Sequence, residues 1–396
     1  MLEKITPTFT NFLLKKRTAL FLWFGLSFFV AIKEAFGHIH NNYLIYKYTF
    51  YNLIHQHNLY LPQQKYFLDI NHYGPVFGLF IAPFIWLPDS FGVVLWIMFN
   101  AYILYIAINQ LPITNLQKII ILLLCSHELM TASFSTQFNP CMVAMILLSF
   151  VFIRQKNDFW AACMIILGTF IKLYGIVGLA FFFFSEHKLK LILSLLFWSV
   201  IFFVLPMAVS SPAFIIQTYR DWYNVLIEKD AQNAASVMQD ISVMGMIRRI
   251  FHYPTLSNGV VLLPGLAVFG SSYLFIQKYK NISYQFLILS STLLFTVLFS
   301  SGSESPTYII AFVGVAIWFV TLEKPLTNLQ IGLMVFAFIL TSLSPSDLFP
   351  KIIKTEYVVK YSLKAFPCLL IWLHVIYQTW TRKAVDTSAK NELVHA

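Results

Sequence analysis

The chain has 396 residues, of which 58% are apolar and 11% are charged, whereas soluble domains carry about a quarter charged residues. A fold in water would leave too much apolar surface exposed, so the composition excludes a soluble globular class. The net charge of +10 comes from Lys and Arg in short clusters between apolar runs. The positive-inside rule explains this pattern without nucleic-acid binding. We therefore predict an all-α protein that crosses a membrane many times.

Apolar runs long enough to cross, or nearly cross, a bilayer of about 30 Å recur along the chain. They are 18–36, 91–110, 118–133, 139–153, 189–208, 258–277, 283–299, 307–322, 329–343 and 361–379, with two shorter segments, 159–171 and 173–184, that meet at Lys172. Their number predicts a bundle of about 12 transmembrane helices. We expect one membrane domain over 1–380, followed by a cytoplasmic tail over 381–396.

The charged loops predict the orientation of this bundle. Basic or mixed-charge residues cluster at the amino terminus and at 154–158, 186–190, 278–280, 323–324 and 382–383. Placing all of them inside puts both termini in the cytoplasm of a plasma membrane. The two long polar segments, 37–73 and 209–256, are then outer loops.

The segment 75–87 does not fit a simple crossing. It has only about 13 residues, fewer than the roughly 17 that a full span requires. Pro75, Pro83 and Pro88 interrupt or flank it. We predict a short re-entrant or broken helix after the first outer loop, packed against 91–110 and beside a cavity.

Polar side chains at the predicted outer ends of the spans are the candidates for chemistry. Asp69 is the only carboxylate in 37–73, and it is either a general base or a structural cap. Gln137 and Asn139 either bind sugar hydroxyls or cap helices. Glu128 lies within an apolar run, where an ionisable group marks a functional site.

Three charged residues suggest binding of an anion or a structural role. Lys172 either snorkels to water or binds an anion such as a lipid phosphate. Arg248 suits phosphate or anionic headgroups, and Glu304 is a site carboxylate or a helix cap. No Walker loop, Rossmann fingerprint, zinc motif or nucleophile elbow occurs, so we expect no metal and no nucleotide cofactor.

Four stretches then indicate a family. They are HNNYLIY with HYGPVFGLFIAPFIWLP, LWIMFNAYIL, ELMTASFSTQFNPCMVAMILL with LGTFIKLYG, and SVMGMI with ESPTYIIAFVGVAIW. In order and spacing they resemble the membrane-embedded glycosyltransferases of family 87, which have the GT-C fold. The resemblance implies transfer of a sugar, often mannose, from a polyprenyl-phosphate carrier to a glycan or glycolipid acceptor at the outer face. It implies no metal and no nucleotide.

The resemblance also implies roles for the candidate residues. Asp69 would be the base, with Glu128 in reserve, and Lys172 would hold the carrier phosphate. The other implied substrate-binding residues are Asn42, Tyr43, His72, Tyr73, Gln137, Asn139, Arg248 and Glu304. Many members of the family have an aspartate early in the first outer loop, where this chain has the amides Asn41 and Asn42.

Two other functions remain compatible with the residues. A transporter or flippase of a lipid-linked sugar would also need a basic outer cavity, although the chain shows no inverted repeat. An inactive scaffold subunit of a complex that assembles envelope glycans would suit the loss of the early aspartate. In each case the partners include membrane lipids.

Overall fold

The computed structural model describes residues 14–37, 41–236 and 239–382, and these ranges are helical with no strand. The α-helices are α1 (Lys16–Phe36), α2 (Asn41–Ile54), α3 (Val76–Ile85), α4 (Asp89–Gln110), α5 (Asn115–Phe134), α6 (Asn139–Arg154), α7 (Asp158–Ile171), α8 (Lys188–Val204), α9 (Pro212–Ala235), α10 (Val243–Ile250), α11 (Asn258–Ser271), α12 (Ile282–Leu298), α13 (Tyr308–Val320), α14 (Asn328–Phe336), α15 (Lys351–Ile353) and α16 (Ala365–Thr381). Shorter 3₁₀ segments are Leu173–Phe184, Leu205–Ala208, Ser272–Leu274, Ile276–Lys278 and Ser305–Thr307, and π-helical turns are Ala337–Leu343 and Lys354–Val359. Most of the predicted tail, from 383 onward, lies outside the described residues.

The helices match the expectation of a multi-pass membrane protein. Four helical stretches are long and apolar enough to cross a membrane, namely Lys16–Phe36, Asp89–Gln110, Asn115–Phe134 and Lys188–Ala208. Eight further apolar helices are shorter. Helices satisfy every backbone polar group internally, which lipid requires. The predicted total of about 12 crossings stays a prediction.

Two helices form the centre of the bundle. Every side chain from Tyr284 to Leu294 in α12 and from Tyr308 to Trp318 in α13 is buried. Gly314 allows their close approach, because a Cβ there would lie 2.9 Å from Leu293 Cβ. By contrast, α8 buries only three residues, so its apolar surface faces outward as a lipid-facing helix does.

The first predicted outer loop contains a packed helix. Half of the fourteen residues of α2, including Tyr43 and Tyr46, are buried. The segment therefore contributes to the wall of the bundle, whereas the sequence had predicted only that it belongs to an outer loop. Residues 38–40 lie outside the described part of the chain.

The short segment after this loop forms a single short helix, α3, which contains Pro83. The ten residues of α3 extend for about 15 Å, roughly half the hydrocarbon core. Gly74 fixes its start, because its N–H donates to Ile171 O at 3.0 Å and a Cβ there would lie 2.0 Å from Phe170 O. This contact holds the end of the first loop beside the break at Lys172.

The predicted orientation can be tested with single cysteines. The native cysteines are all buried, so they should give little background labelling. We expect His57→Cys to react with an impermeant thiol reagent in intact cells, because the charge pattern predicts that the first loop faces outward. Lys156→Cys, in an exposed turn where its Nζ lies 2.7 Å from Glu186, should react only after permeabilisation. If position 156 but not position 57 were labelled in intact cells, the orientation of the protein would be the opposite of the predicted one.

Candidate functional site

A cavity of about 1170 Å³ lies among the first loop, α2, α5, the break after α7, α9, the turn before α13 and the segment before α16. Ligand pockets usually measure about 300–1,000 Å³, so this one is large enough for two substrates. Seven predicted site residues line it, namely Asn42, Asp69, His72, Tyr73, Gln137, Lys172 and Glu304. Asn139 lies directly behind this lining.

Asp69 presents a carboxylate to the cavity. Its side chain is 50% exposed, and its Oδ2 lies 3.8 Å from Lys229 Nζ. The other oxygen accepts a hydrogen bond from the N–H of Ile70 at 2.8 Å. A partly exposed carboxylate in a cavity can meet a substrate hydroxyl, which a general base requires.

The backbone around His72 and Tyr73 is fixed by neighbouring side chains. Trp222 Nε1 donates to His72 O at 2.9 Å, and Tyr60 donates from its hydroxyl to Tyr73 O at 3.2 Å. Burial, with a contribution from Lys229, lowers the pKa of His72 to about 4. The imidazole is therefore neutral at physiological pH and can form hydrogen bonds with hydroxyl groups.

Hydroxyl and amide groups form the floor of the cavity. The hydroxyls of Tyr46 and Tyr73 lie 3.1 Å apart. Tyr73 also donates to Gln137 Oε1 over a long 3.5 Å. Hydroxyl and amide groups can both donate and accept hydrogen bonds, so they are suited to binding sugar hydroxyls.

Lys172 is held inside the cavity wall. Its Nζ donates to Asn139 Oδ1 at 2.9 Å, and Asn139 Nδ2 donates in turn to Pro306 O at 3.3 Å. The same ammonium lies 4.8 Å from the ring centroid of Tyr174, a cation–π distance. Lys172 is therefore positioned by partners and does not simply extend to bulk water.

Glu304 is a second carboxylate of the cavity. Its Oε1 accepts from Gln239 Nε2 at 3.2 Å, and its backbone N–H donates to Thr307 Oγ1 at 3.2 Å. Burial raises the pKa of Glu304, while Lys172 and then Lys229 act in the opposite direction. Glu304 thus caps the turn before α13 and also faces the charged side chains of the cavity.

Sequence analysis missed Lys229 and Gln239 as cavity residues. Lys229 belongs to a stripe on α9, with Leu226, Asp230 and Asn233, that lines the cavity. This i, i+3, i+4, i+7 spacing marks one helix face. This helical spacing can be read from the sequence, but 209–256 was predicted to be a loop.

The two amides that replace the family's early aspartate have structural contacts. Asn41 Oδ1 accepts from the N–H of Leu68 at 2.6 Å, and Asn42 Nδ2 donates to Ser135 O at 2.8 Å. These bonds connect the start of α2 to the loop before Asp69 and to the end of α5. Both side chains line the cavity, but an amide is not a base at neutral pH.

Besides Asn139, three predicted site residues lie outside the cavity lining, and Tyr43 and Arg248 are two of them. Tyr43 is buried and donates to Phe84 O at 2.9 Å. Arg248 is buried, and its guanidinium binds Asp240 at 2.5 Å and Leu256 O at 2.7 Å. A phosphate partner for Arg248 has no support in these contacts, because they neutralise its charge inside the protein.

Glu128 is also removed from the cavity. Its side chain is fully buried and lies 3.2 Å from Lys364 Nζ, which in turn lines the cavity. Lys364 donates as well to the backbone and hydroxyl oxygens of Ser305, both at 3.0 Å. A general base must reach the hydroxyl that it deprotonates, so this position favours a structural ion pair.

The described ranges contain no group of three or more His, Cys, Asp or Glu side chains placed to hold a metal ion.

Comparison with known proteins then identifies the family. The model of glycosyltransferase family 87 matches residues 71–301, which is more than half of the chain. The chain therefore belongs to glycosyltransferase family 87, and no curated protein matches it.

The Glu128–Lys364 pair can be tested for its structural role. Glu128→Gln and Lys364→Met should each destabilise the protein by about 3–5 kcal/mol. Each variant removes one charge of the pair and leaves the other charge buried without its partner. The double variant should lose less than the sum of the two. Thermal unfolding in detergent measures all three. Normal stability of Glu128→Gln combined with loss of activity would instead make Glu128 a base.

Proposed function

We propose that this member of glycosyltransferase family 87 transfers a mannose-like hexose from a polyprenyl-phosphate carrier to a glycan or glycolipid acceptor. The transfer takes place at the outer face of a plasma membrane. The supporting observation is that one cavity of a multi-pass membrane protein contains Asp69, Lys172 and Lys229 together. A carboxylate can remove the acceptor proton, and lysines can neutralise a leaving phosphate.

Asp69 is the proposed base. The acceptor hydroxyl oxygen attacks C1 of the sugar while its proton passes to the Asp69 carboxylate. The bond between C1 and the phosphate oxygen breaks, and its electron pair remains on the phosphate. The partial exposure of Asp69 suits this role, because the carboxylate is accessible to an incoming hydroxyl without a large desolvation cost.

Lys172 is the proposed partner of the carrier phosphate. Asn139 and the ring of Tyr174 hold its ammonium in place, so little side-chain entropy is lost when an anion binds. Lys229 supplies a second positive charge from α9. Charges fixed in a site of low polarity stabilise a leaving phosphate more than mobile charges in water do.

The sugar would bind to neutral groups between these charges. Asn42, His72, Tyr73 and Gln137 line the cavity and can donate to or accept from sugar hydroxyls. Asn139 acts one step behind them, through Lys172. In this scheme the chain's own side chains provide the base and the cations, without a nucleotide or a metal.

The decisive experiment combines the purified protein, in vesicles, with radiolabelled polyprenyl-phosphate hexoses and a glycolipid extract as acceptor. The proposal expects labelled sugar on the acceptor and release of unlabelled carrier phosphate. Movement of the intact donor across the vesicle membrane without a product would indicate a transporter or flippase. Neither transfer nor movement of any hexose donor, at full folding, would indicate a scaffold subunit.

The base can be tested by Asp69→Asn, which keeps the shape of the side chain but removes its basicity. We expect kcat to fall about 100- to 10,000-fold, with donor binding unchanged. Glu186→Gln is the matched control, since it removes a carboxylate from an exposed surface pair. Steady-state kinetics with a fixed acceptor measures both. An Asp69→Asn enzyme with normal kcat would exclude Asp69 as the base.

The phosphate partner can be tested by Lys172→Met, which keeps the length of the side chain and removes its charge. Both donor affinity and kcat should fall, because the charge acts in the bound and in the transition state. Lys156→Met, in the same exposed pair as Glu186, should have no effect on either. A fall in acceptor affinity alone would place Lys172 at the acceptor.

A further inference from the structure

Glu304 has a setting that the proposed transfer leaves unexplained. It is a carboxylate in the wall of the same cavity that is proposed to receive an anionic phosphate. Its Oε1 is fixed by Gln239, and the turn Ser305–Thr307 holds its backbone. It therefore cannot easily turn away when a second anion enters.

The charged and titratable groups around Glu304 come from every side of the cavity. The charged groups that interact with its carboxylate are Lys172 at the break after α7, Lys229 on α9 and Asp69 in the first loop. The titratable but neutral phenols of Tyr46 on α2, Tyr73 before α3 and Tyr174 in the 3₁₀ segment are also within its electrostatic reach. Lys172 and Lys229 therefore balance the charges of Asp69 and Glu304 in the free protein. A phosphate that binds the lysines adds an uncompensated negative charge.

The added charge acts directly on Glu304. The lysines favour its ionised form in the free protein, whereas burial disfavours that form and raises the pKa of Glu304. A phosphate neutralises the effect of the lysines and adds repulsion. Neighbouring anions in a shared site cannot both remain ionised, so one of them takes a proton. A phosphodiester is far too acidic to take it, and Glu304 is not.

We propose that Glu304 takes up one proton when the phosphate of the lipid carrier binds and then donates a hydrogen bond to that phosphate. This inference rests on the proposed function, because it assumes a phosphate-linked carrier. During transfer the electron pair of the C1–O bond goes to the phosphate oxygen, and the proton of Glu304 moves to this oxygen. The acceptor proton goes to Asp69, so the two carboxylates exchange their protonation states.

The chemistry requires both transfers to balance. The phosphate gains one negative charge as the C1–O bond breaks, and the proton from Glu304 compensates it. Asp69 gains the proton that the acceptor loses. Release of the protonated carrier phosphate and loss of the proton from Asp69 to water then restore the starting state, with no oxidant or further reactant.

The test measures proton uptake on binding, without catalysis. The probe is a polyprenyl methyl phosphate, a diester that carries one negative charge throughout the neutral range and has no sugar to transfer. Isothermal titration in two buffers with different ionisation enthalpies gives the number of protons bound per ligand. We expect about one proton for the wild-type protein above the pKa of Glu304, and affinity that falls up to tenfold per pH unit there.

Two variants locate the proton. Glu304→Gln retains a hydrogen-bond donor but cannot titrate, so it should bind the diester with clearly less proton uptake than the wild-type protein and with a weaker dependence of affinity on pH. Asp69→Asn removes the proposed base and should retain the uptake. In both cases the binding measurement is independent of whether the variant can transfer sugar.

Each outcome decides one of the two proposals. Binding of the diester by the wild-type protein without proton uptake, or uptake that is undiminished in Glu304→Gln, would overturn the role of Glu304 and leave the transferase intact. Failure of the folded wild-type protein to bind the diester would instead overturn the lipid-phosphate carrier itself. The wild-type proton count alone is informative, so the test does not depend on the folding of a variant.

Discussion

The close packing of Gly74 against the end of α7 determines where the site can form. Its N–H donates to Ile171 O at 3.0 Å, and only a residue without a side chain fits there, because a Cβ would lie 2.0 Å from Phe170 O. The contact brings the end of the first loop, with Asp69 and His72, to the break that contains Lys172. A carboxylate and an ammonium far apart in sequence therefore share one cavity.

Composition and apolar periodicity were sufficient to predict the helical membrane fold, because lipid restricts the backbone to helices. The break at Lys172 and the short helix after Gly74 were also predictable, since a lysine and several prolines interrupt apolar runs. Pairs between distant helices were not. Lys364 pairs with Glu128 across 236 positions, and a single sequence has no local pattern that reports such a contact.

The segment 209–256 shows why the rest of the site was missed. Its polar composition predicted a loop, but α9 and α10 form there, and several of their polar side chains are paired within the protein. Arg248 binds Asp240, and Asp230 accepts from Asn258 at 2.8 Å. The sequence suggested that Arg248 could bind phosphate, but its charge is already paired with Asp240 inside the protein. Lys229, by contrast, lines the cavity and lies close to Asp69.

Asp69 and Glu304, two of the carboxylates that line the cavity, differ in environment more than in chemistry. Asp69 is half exposed, so a substrate hydroxyl can reach its carboxylate. Glu304 is less exposed, and its desolvation disfavours the ionised form while Lys172 and Lys229 favour it. Two carboxyl groups in such different surroundings can take different protonation states. A phosphate that competes for the same lysines would widen the difference, so binding of the donor itself would assign the acid and the base.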